Sequence, residues 1–247
     1  RARLKAPYSP AAWPLRGSRP AEPTSAVQPA FAANTVAEHS LAMILELFRR
    51  PAAFTRLMRQ VHAGEAAYQN IYFNHRIRDV RDKQLAIIGS GKVAQAHLHY
   101  VKGLRDWQSI SLYSPNLADD AETIALLKAI EPRVNIASSR ETAVADADVI
   151  MLCTSSAGPV IDPADLSKPA LITSISTNAP RAHEVPPHSL KDMQVFCDYR
   201  LTTPGSAGEM LIAGEQHGWN PTAILGDLPD LLSGKVQRPD YKRHVFF

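Results

Sequence analysis

Apolar positions in the middle of this chain fall into short unbroken runs, separated by stretches with helical spacing. Gln84–Ile88 is one such run, Ile110–Tyr113 a second, and Val134–Ala137, Val149–Cys153, Leu171–Ile175 and Val195–Cys197 follow. Runs without polar alternation predict strands covered on both faces, the behaviour of a parallel sheet flanked by helices. Between them, Ala121–Ile130 predicts an amphipathic helix and Glu141–Ala145 a short one. The alternation of strand and helix places the chain in the α/β class.

The N-terminal third has a different texture. Pro7, Pro10, Pro14, Pro20, Pro23 and Pro29 predict an extended or disordered arm over residues 1–33, because proline at this density interrupts both helix and sheet. A helix is expected from Asn34 or Thr35, either of which could cap it, with Val36, His39, Ser40, Met43, Ile44, Leu47 and Phe48 on one stripe. Arg49-Arg50-Pro51 interrupts it, and Phe54, Leu57, Met58 and Val61 predict a second helical piece. Residues 34–80 thus read as a helical segment that connects domains or subunits, with a bland core helix as the competing explanation.

The first strand runs directly into Gly89-Ser-Gly91-Lys-Val-Ala94 and then a helix. That is the G-x-G-x-x-G/A dinucleotide pattern of a Rossmann-type, doubly wound, mostly parallel sheet. Gly89 allows the tight turn, Gly91 lets the backbone approach a pyrophosphate, and Ala94 lets the helix pack close to the sheet. The helix N-terminus offers unpaired N–H groups to the phosphates. The candidate cofactor contacts from the turn are Gly89, Ser90, Gly91, Lys92 and Val93, with Lys92 facing either the phosphates or solvent. Ligands of such sheets lie outside the carboxyl ends of the strands, which adds Ser114, Thr154, Ser155 and Ser176-Thr177-Asn178 to one crevice. Thr154 and Ser155 either contact ribose or nicotinamide or are ordinary polar strand ends. The second strand ends Tyr113-Ser114-Pro115-Asn116 with no carboxylate, so NADP (as NADPH) is accepted as well as NAD.

Composition narrows the function classes. The formal net charge is +3 over 247 residues and the basic residues are dispersed, which argues against a nucleic-acid partner. No run is long and apolar enough to span a membrane, and the start lacks the form of a signal peptide, so the cytoplasm is the expected setting. Cys153 and Cys197 each end an apolar strand and read as buried free thiols, and no residue spacing suggests a metal site. His97 and His99, two apart on a helix, point in different directions. A start at Arg1 rather than methionine and an apolar ending, Arg243-His-Val-Phe-Phe247, are what a fragment or trimmed chain would show.

Several ordered motifs together carry a family resemblance. These are Gly89–His97, Ala145-Asp-Ala-Asp148 through Thr154-Ser155, Ser176-Thr-Asn178-Ala-Pro180-Arg-Ala-His-Glu184, Val195–Asp198, Ser206-Ala-Gly208-Glu209 and Arg243–Phe247. From Leu85 onward the chain resembles the ornithine cyclodeaminase/mu-crystallin family of NAD(P)-dependent enzymes. The wording at 173–184 is most similar to its Δ1-pyrroline-2-carboxylate reductases. Residues 1–80 do not follow that family's substrate domain, so the second domain is expected to be incomplete. Asn34 to Arg49 instead resembles the interdomain helix of D-2-hydroxyacid dehydrogenases. The organisation expected is an arm at 1–33, a helical segment at 34–80, the NAD(P)-binding domain at 81–214, and a segment at 215–247 returning towards the second domain.

The resemblance implies a small imino- or amino-acid substrate and a homodimer. In the family's cyclodeaminases an aspartate acts on the substrate amine at the place held here by Asn178, relative to Pro180 and Glu184. An amide is neither a base nor an acid at neutral pH. This favours reduction of a cyclic imino acid, Δ1-pyrroline-2-carboxylate to L-proline, with Asn178 and Thr177 orienting the substrate. The alternatives are ornithine cyclodeaminase-like or other amino-acid dehydrogenase chemistry, D-2-hydroxyacid oxidation, and non-catalytic NADP binding as in a mu-crystallin. His183 is a weaker candidate proton donor, Glu184 an anchor of its turn, and Asp198 and Glu209 structural or catalytic with equal claim.

Overall fold

The computed structural model describes residues 28–49, 51–65, 82–103, 106–175 and 179–247. Two helices come first, α1 (Gln28–Arg49) and α2 (Pro51–His62). The sheet then begins with β1 (Gln84–Ile88), α3 (Lys92–Val101), β2 (Ser109–Tyr113), α4 (Ala121–Ile130) and β3 (Asn135–Ile136). It continues through α5 (Arg140–Val144), β4 (Val149–Leu152), β5 (Leu171–Ser174), β6 (Gln194–Cys197) and α6 (Gly208–His217). It closes with β7 (Gly226–Asp227), α7 (Leu228–Ser233) and β8 (Val245–Phe246). The strand order is β3-β2-β1-β4-β5-β8-β6-β7, and every neighbouring pair is parallel.

Successive strand residues enter different cores, which explains the unbroken apolar runs. Leu85, Ile87, Val149, Met151, Leu171 and Val245 pack on one face with Leu98 of α3, Leu127 of α4 and Met43 and Ile44 of α1. Ala86, Ile88, Ile150, Leu152, Ile172 and Phe246 pack on the other with Val144 of α5 and Met210 and Ala213 of α6. Both faces are dry, so neither set of positions can be polar. At the foot of the sheet, Asp148 accepts from Gln84 N at 3.0 Å and pairs with Lys83 at 3.3 Å and Lys168 at 3.2 Å, tying the start of β4 to that of β1.

Two expectations are corrected. The first concerns α1, which begins at Gln28 rather than at Asn34 or Thr35, so part of the expected arm is helical and those two residues are exposed positions inside a helix. Pro29 sits in its first turn, where the missing N–H would have had no intrahelical partner anyway. Residues 1–27 lie outside the described residues. The helix lies along α3, with Ala33 and Ala37 against Ala96, small side chains that allow close approach.

The second concerns the end of the chain. Residues 215–247, expected as a segment outside the nucleotide-binding domain, contribute to its sheet, because β8 inserts between β5 and β6. Val245 N donates to Ala170 O at 2.9 Å and Gln194 N to His244 O at 2.8 Å. A strand hydrogen-bonded on both sides, with Val245 and Phe246 buried, belongs to the domain's interior. Among the described residues, no helix is long and apolar enough to cross a membrane.

Candidate functional site

The site starts from two glycines with opposite roles. Gly89 follows β1 with φ +119°, and a Cβ there would collide with the backbone oxygen of Cys153. Only glycine suits both the backbone angle and the close approach to β4. Its N–H donates to Tyr113 O at 2.8 Å, while Cys153 N donates to Ile88 O at 2.8 Å, so the turn is anchored on both sides. Gly91 is the N-cap of α3 with extended backbone and so offers no capping side chain, and among the described residues a Cβ there would meet nothing within 4 Å. The space that glycine leaves is therefore open cleft. An uncapped helix N-terminus facing that space is a fit for a pyrophosphate.

The cleft has a volume of about 1010 Å³ and brings together Gly89, Ser90, Gly91, Lys92, Val93, Ser114, Thr154 and Ser155. Gln95 pins the turn by donating from Nε2 to Ser90 O at 3.0 Å. Sequence reasoning missed three contributors. Ala33 and Val36 of α1 form a wall of the cleft, and Arg140 at the start of α5 brings a cation towards the end of β2. Arg140 Nη2 lies 2.9 Å from Glu141 Oε1, an exposed pair. The signal was an arginine opening the helix after the third strand; nothing in the sequence pattern placed α1 at the cleft. Ser176, Thr177 and Asn178 lie outside the described residues.

A second cavity, of about 370 Å³, lies between α1 and the carboxyl ends of β5, β8 and β6. Thr35, His39 and Ser40 of α1 line it opposite Thr173, Asp198 and Glu209, and it shares Val36 and Ile175 with the cleft. The wall between the two is a buried carboxylate pair. Glu184 accepts from Thr154 N at 2.8 Å, Thr154 Oγ1 at 2.7 Å and Ile175 N at 3.2 Å. Glu209 Oε1 accepts from Glu184 N at 2.9 Å, and Ser174 Oγ lies 2.9 Å from both Glu184 Oε2 and Glu209 Oε1. A hydroxyl has one proton and cannot donate to two carboxylates at once. With a proton on Glu209, the chain is satisfied: Glu209 donates to Ser174, and Ser174 donates to Glu184. Burial pushes the Glu209 carboxyl up, in the direction this requires. Gly208 makes the arrangement possible, since a Cβ there would collide with the backbone of Ala182 and push α6 off the loop carrying Glu184.

The pair gives Thr154 a different task from the expected one. It lines the cleft, but its hydroxyl proton goes to Glu184. His183 lines neither cavity; its Nδ1 sits 2.9 Å from Arg181 O. His97 is buried with Nδ1 2.8 Å from Val93 O, whereas His99 stacks edge-on to Tyr100. Both cysteines are free and buried. Burial and then Glu184 raise the Cys153 thiol well above its usual range, and burial with Asp198 and Asp227 pushes Cys197 up to about 12, so neither is a nucleophile at neutral pH.

A model of the ornithine cyclodeaminase/mu-crystallin family matches residues 77–247. The chain belongs to that family. The NAD(P)H-dependent anabolic L-arginine dehydrogenase of Pseudomonas aeruginosa is 64% identical over 164 residues, covering 66% of this chain and 51% of that protein. A Δ1-pyrroline-2-carboxylate reductase of Colwellia psychrerythraea is 26% identical over 151 residues, covering 60% and 48%. The solved Δ1-pyrroline-2-carboxylate reductase of Thermococcus litoralis superposes with a TM-score of 0.60 at 18% identity, covering 68% of this chain and 53% of that one, and bears out the Rossmann-type fold. This chain spans about half the length of the relatives it matches. Helices α1 and α2 lie outside the family match.

Proposed function

We propose that this chain is the cofactor-binding part of an NAD(P)H-dependent reductase that adds hydride to the C=N bond of a 2-imino acid. The observation that carries the proposal is the open cradle at Gly91, above an uncapped helix N-terminus, in a cleft that meets a second cavity at Val36 and Ile175. The substrate best supported is the imino acid that yields L-arginine, because the likeness to the arginine dehydrogenase is 64%. A second reading, Δ1-pyrroline-2-carboxylate to L-proline, rests on the 26% likeness and on the wording at 173–184.

Bound NAD(P)H supplies the hydride, and this chain supplies positions. Gly89 holds the turn, Gly91 admits the pyrophosphate, and Ser90, Lys92 and Val93 border it. Ser114 and Arg140 stand at the adenosine end, where Arg140 gives a 2′-phosphate a counter-charge and so favours NADPH. Thr154 and Ser155 of the cleft would border the nicotinamide; Ser176, Thr177 and Asn178 are proposed from the sequence alone, the first for the cofactor and the other two to orient the substrate nitrogen. An imine already protonated at nitrogen would yield a neutral amine on reduction, so the chain would have to orient it rather than protonate it. No side-chain acid is needed for that step, which is compatible with an amide at position 178. Homodimer assembly and a cytoplasmic setting complete the proposal.

The test is a titration of NADPH and NADH followed by absorbance assays. The arginine-derived imino acid, formed from 2-ketoarginine and ammonia, is compared with Δ1-pyrroline-2-carboxylate. Cofactor consumption with the former is expected. Binding without consumption of cofactor by either substrate would overturn the reductase and leave a nucleotide-binding protein; absence of binding would overturn the cleft.

A further inference from the structure

We propose that the second cavity is a cation subsite which receives the guanidinium end of a basic amino acid, with α1 as its outer wall. The substrate class rests on the reductase reading above; the subsite itself rests on the cavity. Among the described residues, no lysine or arginine lines it, whereas Asp198 and Glu209 both do. An anionic group would face the Asp198 carboxylate without a counter-charge, whereas a cationic one would have that carboxylate as its partner, Glu209 being held in the hydrogen-bonded chain with Ser174 and Glu184. The cavity also contains a polar group that the protein leaves unsatisfied. Thr173 is 2% exposed, and its Oγ1 has no hydrogen-bond partner among the described residues. A buried hydroxyl without a partner carries a desolvation cost that a ligand N–H would remove.

The chemistry favours guanidinium over a bare ammonium. Its planar fork offers five donors, which suit acceptors spread over several elements: Thr173 on β5, Asp198 after β6 and His39 on α1. Phe196, Phe246 and Phe247 add apolar surface for the planar face. Asp198 Oδ1 already accepts from Tyr199 N at 3.1 Å and from Thr203 Oγ1, which holds the carboxylate in place. The cavity borders the cleft, with Val36 and Ile175 lining both, so the proposal places the guanidinium in the cavity and the α-carbon towards the cleft.

Calorimetric titration of the NADP-loaded protein compares L-arginine, agmatine and L-citrulline. Agmatine keeps the guanidinium without the carboxylate; citrulline replaces the guanidinium with a neutral urea of the same shape. Arginine and agmatine should bind, and citrulline at least about tenfold more weakly, as expected for loss of a charged partner. Asp198→Asn keeps an oxygen for Tyr199 N and Thr203 while removing the charge, and should erase that discrimination. Thr173→Val should weaken arginine severalfold while raising the thermal midpoint, because it removes an unsatisfied hydroxyl. Equal binding of citrulline and arginine, or unchanged discrimination in Asp198→Asn, would overturn the subsite. Failure of the reductase reading looks different: agmatine binds in an Asp198-dependent way, yet no imino acid is reduced.

Discussion

The cleft at the glycine turn and the second cavity are neighbours that share two residues, yet they are built in different ways. The cleft is a local object, in which one strand, one turn and one helix within Gln84–Val101 supply its essential geometry. The second cavity is assembled from α1, the ends of β5, β6 and β8, and the segment leading into α6. A local object can be damaged at one residue without disturbing its surroundings. An assembled one depends on buried polar pairs that hold distant segments in register.

The sharpest way to break this comparison is at the glycines. Gly89→Ala combines a positive φ with a collision against Cys153, and should destabilise the fold by more than about 3 kcal/mol, read as a large drop in thermal midpoint. Gly208→Ala should act similarly at the assembled site, by forcing α6 away from Ala182. Gly91→Ala is the control within the same turn as Gly89. Its methyl meets no protein atom, so the thermal midpoint should hardly change while NADPH affinity falls about tenfold, roughly 1.4 kcal/mol. Equal losses of stability in Gly89→Ala and Gly91→Ala would end the distinction between a glycine required by the fold and one required by the cofactor.

A smaller effect separates the two regions by pH. Burial raises the Glu209 carboxyl above its usual 4.5, so the folded protein holds that proton more tightly than the unfolded chain. Its contribution to stability is therefore complete below pH 4.5 and is lost as pH rises through the folded value. Glu209→Gln has no such proton to lose, so its stability relative to the wild type should improve from pH 5 to pH 8 by about 1 kcal/mol for each unit of raised pKa. Parallel melting curves for the two proteins across that range would show that Glu209 is not the group holding the proton.

At the adenosine end the expected effect is smaller still. Arg140 and Glu141 are exposed, at 46% and 68% side-chain accessibility, so solvent screens the pair. Arg140→Ala should weaken NADPH about threefold and leave NADH unchanged, a difference of under about 1 kcal/mol. Equal weakening of both cofactors would mean that Arg140 does not read the 2′-phosphate.

The same contrast separates what could be read from the sequence. Helix α4 was legible to the residue, and strands β1 to β6 to within a residue or two at their ends, because apolar runs and turn residues are local signals, whereas β7, Gly226–Asp227, has no apolar run to mark it. The glycine turn was legible for the same reason. The C-terminal run Val245–Phe246 could be recognised as a strand, but its place between β5 and β6 could not, since parallel neighbours are distant in sequence. The helical stripe at Val36, His39 and Ser40 suggested α1, yet no periodicity says which cavity a stripe will line. Arg140 lies outside the glycine turn and the strand ends that a dinucleotide pattern marks, and only the packing of α5 beside β2 brings it to the cleft.

The sequence by itself determined the α/β class, the parallel sheet with two dry faces and the dinucleotide turn, all properties of residues close together along the chain. Tertiary structure alone decided that Ser174 bridges Glu184 and Glu209, that α1 walls both cavities, and that Thr173, with no hydrogen-bond partner among the described residues, lines the same cavity as Asp198. The physical reason is one of range. Backbone conformation and hydrophobic periodicity act between near neighbours, whereas hydrogen-bond satisfaction and charge placement depend on which distant segments packing brings into contact.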